Sequence, residues 1–380
     1  PEICRVEGVI APTVGFLLRM PTKDWNGKFM MGGCGGPCGN YLEDRIDPAL
    51  VRNYAVVNTD MGHKGGGWLF GYNNLQGQVD FAYRATHLTA VVAKELIKAF
   101  YGNAASRNYF NGCSTGGRQA MIAAQRFPHD FEGIIAGAPV YDEVGDTPYF
   151  LEWNLLVNTA KDGSTSLTED KLDVVHQAVL KKGDALDGLA DGLLMNPARC
   201  EFDPKSLVCK AGQDAARCLT AEQADVVQKF HDGARNSKGE KLYFGMPWGS
   251  EDQWKNFFGW VSATGRQRDV VGTSITGYLG FESGAPKGPE YSIRDFDYDA
   301  HPQRLDLTGV IHNPVNPDLS RFRKAGGHNS TSCPLNPRRS NRPPSRPSGK
   351  WSVPNVAFSC RVTIASAPLP NCSNAWPQRR

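Results

Sequence analysis

The sequence lacks a long hydrophobic run, a strong net charge and the paired ligand spacing of a zinc site. No apolar stretch approaches the roughly 20 residues of a membrane-spanning helix, so we expect a soluble chain with no membrane partner. The formal net charge of +3 is too small to indicate nucleic acid or another acidic polymer as a partner. Cys34 and Cys38 form one CxxxC pair, but no second cysteine pair or matching histidine spacing accompanies it. The composition is otherwise that of an ordinary globular protein.

The end of the chain has a different absence, because residues 328–380 contain no Asp or Glu. The same stretch is crowded with Arg, Pro and Ser and shows no hydrophobic periodicity. Such a composition is typical of a disordered basic tail. Its abrupt boundary and its residue bias also resemble out-of-frame reading of GC-rich DNA, which favours a frameshifted translation.

The cysteines and the lack of a leader in the sequence are relevant to the cellular location of the protein. No signal peptide precedes the chain, which we interpret as a mature form or a fragment. Ten scattered cysteines favour disulfides and a secreted or periplasmic location over a reduced cytosol. Cys209 and Cys218 close a short loop, which predicts a local bridge. Cys4 is expected to join Cys34 or Cys38, and the alternative for all of them is buried free thiols.

One short run, GCSTGG at residues 112–117, carries the clearest chemistry. It lies between an apolar strand-like segment and a helix-like segment, the context in which Gly-x-Ser-x-Gly forms a nucleophile elbow. The turn needs small residues on both sides of the serine because its backbone is strained and closely packed. We therefore predict that Ser114 is a nucleophile and that the N–H of Thr115 faces an oxyanion.

Strand-like and helix-like segments alternate through the first 140 residues. This alternation predicts a parallel sheet with right-handed crossovers. From about residue 141 to 310 the rhythm disappears, which indicates an inserted lid domain. Predicted strands lie at 28–31, 54–57, 108–110 and 131–137, and predicted helices at 80–101, 168–180 and 220–231. The last two helices open with a capping-type Thr.

The acidic loop DALDGLADGL at residues 184–193 contains Asp184, Asp187 and Asp191 together with two glycines. Closely spaced oxygen ligands in a tight wrap suit calcium, although the spacing is not that of an EF-hand. Taken alone, the loop is better interpreted as a solvated acidic turn.

These segments together resemble the tannase/feruloyl esterase family of α/β hydrolases. The resemblance covers about residues 4 to 327 and implies a core over 1–140, a lid over 141–310 and a return to the core over 311–327. We expect the final core strands to be absent, because the resemblance stops at Gly327. It rests on NTDMGH at 58–63, DFAYRATH at 80–87, NGCSTGGRQA at 111–120, FEGIIAGAP at 131–139 and NPDLSRFR at 316–323.

The resemblance implies a serine carboxylic-ester hydrolase that acts on aromatic acid esters, hydroxycinnamoyl or galloyl, through an acyl-enzyme on Ser114. It implies an oxyanion hole made by the N–H groups of Thr115 and Gly35. Each such donor typically lowers the activation barrier by about 3 kcal/mol. It also implies that the acidic loop is a structural Ca²⁺ site of the lid, which reverses the first interpretation. The implied calcium ligands are the carboxylates of Asp184, Asp187 and Asp191 and the carbonyls of Leu189 and Leu193.

The sequence departs from the family at the other two catalytic residues. The family places its Asp in a His-Gly-Trp-x-Asp-type segment after a Gly-Gly, here 326–327. Its His lies in a later Pro-Gly-x-x-His-Cys-type segment, whose cysteine bridges to the one before the nucleophile. Neither segment is present, so the catalytic Asp and His are unknown and we expect the chain to be nearly inactive. A family cysteine is also replaced by Gly183, which leaves Cys200 without its partner.

Other assignments stay open. His63 and His87 precede the serine, whereas α/β hydrolases order their triad Ser…Asp…His, so we expect a structural or substrate-side role for both. The alternative function is a catalytically inactive ester-binding or calcium-dependent interaction protein. A further alternative recruits His328 as a new base.

Overall fold

A computed structural model of the protein describes residues 2–255, 261, 272–281 and 290–332. The chain divides into two compact units. The first unit comprises residues 2–143 and 307–332, and the second comprises the described residues between 144 and 306. The stretch from residue 333 onward, which holds most of the expected tail, lies outside the described residues.

The first unit is built on a seven-stranded sheet. Its strands are β1 (Ile3–Ile10), β2 (Val14–Pro21), β3 (Lys28–Gly32), β4 (Ala55–Thr59), β5 (Arg107–Cys113), β6 (Gly133–Gly137) and β7 (His328–Ser332). Their spatial order is β1-β2-β4-β3-β5-β6-β7. The pairs β1–β2 and β2–β4 are antiparallel, and the four remaining pairs are parallel. The predicted α/β class with a mainly parallel sheet is confirmed.

Helices connect these strands and also occur in the second unit. In chain order, the described helices are α1 (Asp47–Val51), α2 (Leu75–Val79), α3 (Ala85–Tyr101), α4 (Thr115–Arg126), α5 (Glu143–Asp146), α6 (Trp153–Val157), α7 (Leu172–Gly183), α8 (Ala221–Asp232), α9 (Gly272–Tyr278), α10 (Pro302–His312) and α11 (Ser320–Lys324). Shorter helical turns that matter below are Glu43–Arg45, Asp80–Arg84, Glu169–Lys171 and Asp184–Asp187.

Both faces of the central strands are covered, which explains their nearly continuous apolar runs. On one face, Phe29, Val57 and Phe110 pack with buried alanines of α3 and α4. On the other face, Met30 and Val56 pack against α1. The sheet is therefore held between two helical layers, and the carboxyl ends of its parallel strands meet at one edge.

The predicted strands at 28–31, 54–57, 108–110 and 131–137 are confirmed as β3 to β6. The predicted helix at 80–101 is also confirmed, as a π-helical turn over Asp80–Arg84 that continues into α3. The antiparallel strands β1 and β2 are absent from the prediction, because strand–helix alternation does not reveal a strand pair joined by a short turn.

β7 corrects the expectation that the core ends at Gly327. It runs parallel to β6, with His328 opposite Gly133 and Ser332 opposite Gly137. Its sequence, HNSTS, has no apolar residue, so hydrophobic patterning could not reveal it. Backbone hydrogen bonds to β6, rather than buried apolar side chains, hold β7 in the sheet.

The second unit has its own core, in which the apolar faces of α7 and α8 meet around Trp254. α8 opens with the predicted capping box, in which Thr220 and Gln223 exchange side-chain and backbone hydrogen bonds. The predicted cap at Thr168 is wrong. Its hydroxyl donates to the Asp170 carboxylate instead of accepting a backbone N–H, and a 3₁₀ turn precedes α7.

The cysteines pair in part as predicted. Cys209 and Cys218 form the expected bridge. Cys34 is bonded to Cys38, and Cys4 is a free thiol, so the expected bridge from Cys4 is wrong. The reason is the strand order: β1 is separated from β3 by two strands, about 14 Å in all, which a disulfide cannot span.

Cys200 is buried and free, as expected from the glycine at position 183. A Cβ atom at Gly183 would lie 2.7 Å from the Cys200 Sγ, close to the Cβ–Sγ separation of about 3 Å in a disulfide. We predict that Gly183→Cys forms this bridge and removes the Cys200 thiol under oxidising conditions. Mass spectrometry of the oxidised protein measures the bond, with Gly183→Ser as the control. A persistent free thiol at Cys200 in the oxidised variant contradicts the prediction.

The second unit buries a carboxylate between two histidines. Glu251 accepts from His176 at 3.2 Å and lies 3.3 Å from His231 Nε2. The hydrogen bond to Glu251 raises the pKa of His176 above 6.5. Burial opposes ionisation of Glu251, but the two histidines lower its pKa below 4.5.

These shifts predict how stability depends on pH. The contribution of His176 is complete below pH 6.5 and is lost as pH rises through its raised value. The contribution of Glu251 is complete above pH 4.5 and is lost as pH falls through its lowered value. Urea unfolding between pH 4 and 9 should therefore show stability falling on the alkaline side, and Glu251→Gln should flatten that fall. An unchanged alkaline profile in Glu251→Gln contradicts this prediction.

Candidate active site

Ser114 lies in the sharp turn between β5 and α4. Its backbone has φ 60° and ψ −122°, a conformation that is strained for a residue with a side chain. The turn is held by backbone hydrogen bonds from the Ser114 N–H to the Gly137 carbonyl and from the N–H groups of Arg118 and Val140 to the Ser114 carbonyl. Ser114 is exposed, and its hydroxyl makes no hydrogen bond to the described residues. This is the backbone geometry of a nucleophile elbow.

Three glycines let the elbow pack against the loop that follows β3. A Cβ at Gly33 would lie 2.7 Å from the Gly116 Cα and 3.0 Å from the Gly112 Cα. A Cβ at Gly116 would lie 2.8 Å from the carbonyl oxygen of Cys34. The glycines on either side of Ser114 are thus required by close backbone contact, as the sequence pattern predicts.

The loop after β3 brings backbone N–H groups to the elbow. The N–H groups of Gly33, Cys34 and Cys38 are already used, by Asn111, Gln119 and Gly35 respectively. The N–H groups of Gly35 and Gly36 donate to no acceptor among the described residues. The Thr115 hydroxyl donates to the Gly36 carbonyl at 2.9 Å, which ties the loop to the start of α4.

A buried ion pair supports the helix behind the serine. Arg118, fully buried on α4, lies 2.9 Å from the Glu143 carboxylate. Its guanidinium also donates to the carbonyls of Phe81 and Ala82 and to that of His312. Arg118 therefore joins α4 to the Asp80–Arg84 turn and to the end of α10.

Comparison with known proteins agrees with this geometry. The family model described as Tannase and feruloyl esterase matches residues 2–329. The chain belongs to this family. A crystal structure of feruloyl esterase B from Aspergillus oryzae superposes with a TM-score of 0.74 at 28% identity, over 87% of this chain and 65% of that chain. The fold is accordingly that of the α/β hydrolases in this family.

Two curated sequences that match this chain are also named as esterases. An uncharacterized esterase of Xanthomonas campestris pv. campestris is 33% identical over 347 residues, covering 86% of this chain and 59% of that protein. A probable feruloyl esterase B-1 of Aspergillus flavus is 29% identical over 339 residues, covering 86% of this chain and 60% of that protein. The match thus spans about three fifths of the length of these curated relatives.

The two histidines that precede the serine, His63 and His87, are held by aromatic rings. His87 on α3 stacks on Phe127 with centroids 4.0 Å apart, and its Nδ1 lies 2.7 Å from Asp130. His63 stacks on Phe70 at 3.8 Å, and burial lowers the pKa of its ring. Neither ring hydrogen-bonds Ser114. These contacts are structural, which is one of the two roles, structural or substrate-side, expected for both.

His328 is excluded as the base by its place in the sheet. It begins β7 opposite Gly133, at the amino end of β6, and its N–H donates to the Glu132 carbonyl. Ser114 follows the carboxyl end of β5, which pairs with Gly137. Four residues of strand, about 13 Å, separate the two ends, so the alternative that recruits His328 is wrong.

The Asp and His segments that the resemblance implies are not found in the sequence. The chain from residue 333 onward lies outside the described residues, and the structure assigns neither group. Cys113, next to the nucleophile, is disulfide-bonded.

The acidic loop, residues 184–193, holds the residues implied as calcium ligands. It wraps on itself: the Asp184 carboxylate accepts from the N–H groups of Asp191 and Gly192, and Asp187 accepts from Met195. Its oxygen donors are of the type that Ca²⁺ prefers, and the carboxylates are largely open to solvent. Among the described residues, however, no three His, Cys, Asp or Glu side chains are grouped to hold a metal. The donor chemistry fits calcium, but the ligands are not preassembled.

None of the described helices is long and apolar enough to cross a membrane. The contacts of Gly33 and the Arg118–Glu143 pair escape sequence reasoning, since each joins segments far apart in the chain. The GGCGG run at residues 32–36 is the one sequence signal that points to the contacts of Gly33.

Proposed function

We propose that the protein is a serine carboxylic-ester hydrolase with Ser114 as its nucleophile. The observation that carries the proposal is the exposed Ser114 at φ 60°, in a turn enclosed by glycines. A strained, projecting hydroxyl at the carboxyl edge of a parallel sheet is suited to attack an acyl group. The matched relatives, an uncharacterized esterase and a probable feruloyl esterase, support the same chemistry.

In the proposed reaction, the Ser114 Oγ attacks the acyl carbon while its proton passes to a general base. The carbonyl oxygen becomes an oxyanion that faces the N–H groups of Thr115 and Gly35. The free Gly35 N–H and the position of Thr115 at the start of α4 support this assignment. The ester bond then breaks, the alcohol leaves with the proton, and water hydrolyses the acyl-enzyme.

The proposed substrates are esters of aromatic acids, hydroxycinnamoyl or galloyl. The family and the feruloyl esterases among its relatives support this class. We assign the second unit the role of a lid that fixes the acid. The test is a panel of methyl ferulate, methyl gallate and methyl butyrate, with release of acid measured by chromatography. Preference for either aromatic ester supports the proposal, and equal or faster cleavage of methyl butyrate contradicts it.

Turnover by this chain is proposed to be impaired. The Asp and His segments of the family are missing from its sequence, and the elbow with its oxyanion donors gives only residual catalysis. We attribute the loss to a shift of reading frame after Gly327. Sequencing the gene tests this: a single-base insertion or deletion near that codon is expected. An unbroken frame with no homologous region downstream contradicts it.

The second candidate function is an inactive ester-binding or calcium-dependent interaction protein. The missing triad segments favour it, whereas the strained elbow does not. Such a protein binds methyl ferulate without releasing acid and does not react with a phosphonate probe. A reactive Ser114 excludes this candidate.

Calcium is proposed as a structural ion of the acidic loop. Asp184, Asp187 and Asp191 would supply carboxylates, with carbonyls from Leu189 and Leu193. When bound, Ca²⁺ would neutralise the loop's charge and fix its wrap. Isothermal titration of the chelated protein with CaCl₂ should show one site that Asp187→Asn weakens. An absence of binding heat at millimolar CaCl₂ contradicts the proposal.

We further propose a secreted or periplasmic location. The Cys34–Cys38 and Cys209–Cys218 bridges support an oxidising compartment. Fractionation of producing cells, with thiol alkylation before lysis, tests this. A cytosolic protein with these four cysteines alkylated contradicts it.

A further inference from the structure

Arg45 stands beside the loop that supplies the proposed oxyanion donor. It ends the short Glu43–Arg45 turn, and its guanidinium packs on the backbone of Gly35. A Cβ at Gly35 would lie 2.8 Å from the Arg45 Nη1, 3.1 Å from Nη2 and 3.3 Å from Cζ. The guanidinium thus occupies the space that a side chain at Gly35 would need.

The same side chain reaches the elbow. Arg45 lines a small cavity together with Gly33 of the loop and with Gly112 and Cys113 at the end of β5. Cys113 is the residue before the nucleophile. The charge of Arg45 therefore lies between the glycine loop and the strand that presents Ser114.

Arg45 has no protein partner within the described part of the chain. Two neighbouring acids are engaged elsewhere: Glu43 pairs with Arg5 and Arg19, and Asp47 pairs with Arg19. No hydrogen bond or ion pair of the Arg45 guanidinium is present among the described residues. A cation without a counter-ion beside two free amides, those of Gly35 and Gly36, creates a positive potential that suits a developing negative charge.

We propose that Arg45 is a positioning residue for the oxyanion hole. Its guanidinium holds the Gly35 backbone so that the free N–H faces the site of reaction, and its charge strengthens that donor. This inference rests on the proposed function of Ser114 and goes beyond it, since Arg45 belongs to no motif of the nucleophile or its loop.

The test uses the full chain and a fluorophosphonate probe, whose phosphoryl oxygen enters the oxyanion hole as Ser114 is labelled. Arg45→Ala should lower the maximal labelling rate roughly 10-fold with little change in the probe concentration for half-maximal rate, because only the charged transition state is affected. Arg45→Lys should recover part of the rate. An unchanged maximal rate in Arg45→Ala overturns the proposal, and so does a change in probe affinity alone.

A double-mutant cycle separates positioning from a general loss of structure. Gly35→Ala should slow labelling because its methyl group displaces the guanidinium. In Arg45→Ala the space is vacated, so adding Gly35→Ala should cost little more. Multiplicative losses in the double variant contradict a shared role.

A second measurement is independent of reactivity. Hydrogen exchange of the peptide that contains residues 33–38 should accelerate in Arg45→Ala, with thermal unfolding unchanged within a few degrees. Failure of the wild-type chain to label refutes the proposed nucleophile, whereas unchanged exchange in Arg45→Ala refutes the role of Arg45.

Discussion

Ser114→Ala should remove all ester hydrolysis above the uncatalysed background. In the proposed mechanism, the Ser114 hydroxyl is the group that forms the acyl-enzyme, and Ser114 is the residue at the strained turn before α4. In a complete serine hydrolase the loss of the nucleophile costs about 10⁶-fold in kcat. In this chain the drop should consume the whole residual rate, measured as acid released from methyl ferulate.

The control for this variant is Ser106→Ala, a serine just before the strand that leads to the elbow. The Ser106 hydroxyl donates to the Gly27 carbonyl, so its loss should leave hydrolysis unchanged. Circular dichroism should show both variants folded. Retention of wild-type hydrolysis by Ser114→Ala would place the nucleophile elsewhere.

Arg118→Met should lower the free energy of unfolding by about 3–5 kcal/mol, because it leaves the Glu143 carboxylate buried without its cation. Arg118 is fully buried and Glu143 is 3% exposed, so water cannot replace the lost partner. The carbonyls of Phe81 and Ala82 lose their donor as well. Urea denaturation of the full chain measures the effect.

Two controls sharpen this prediction. The exposed pair of Arg5 and Glu43 lies in the same unit, and Arg5→Met should cost less than about 1 kcal/mol. Arg118→Met combined with Glu143→Leu removes both charges and should be less destabilised than Arg118→Met alone. Equal losses for Arg5→Met and Arg118→Met contradict a special role for the buried pair.

Local patterns in the sequence predict the parallel part of the core. β3 to β6 are short apolar runs, because both faces of the central strands are buried, and the helix over 80–101 has clear amphipathic spacing. β7 has no such pattern, since its place depends on backbone pairing with β6. The predicted disulfide from Cys4 to Cys34 or Cys38 is wrong for a related reason, because local sequence does not determine the order of strands across the sheet.

In the candidate site, too, the features set by local sequence are predicted and those set by contacts between distant segments are not. Ser114 and the need for small neighbours follow from the elbow motif, because the motif encodes a local backbone conformation. The partners that enclose it, Gly33 and Arg45, come from segments about 70 to 80 residues away, and only folding brings them together. Arg118 meets Glu143 for the same non-local reason.

Mass-spectrometric mapping of fluorophosphonate labelling tests the central claim most directly. We expect one covalent adduct, on Ser114, formed more slowly than in a feruloyl esterase with a complete triad and absent from Ser114→Ala. An adduct on another residue, or no adduct on a folded wild-type chain, would contradict the assignment of Ser114 as the nucleophile of an esterase.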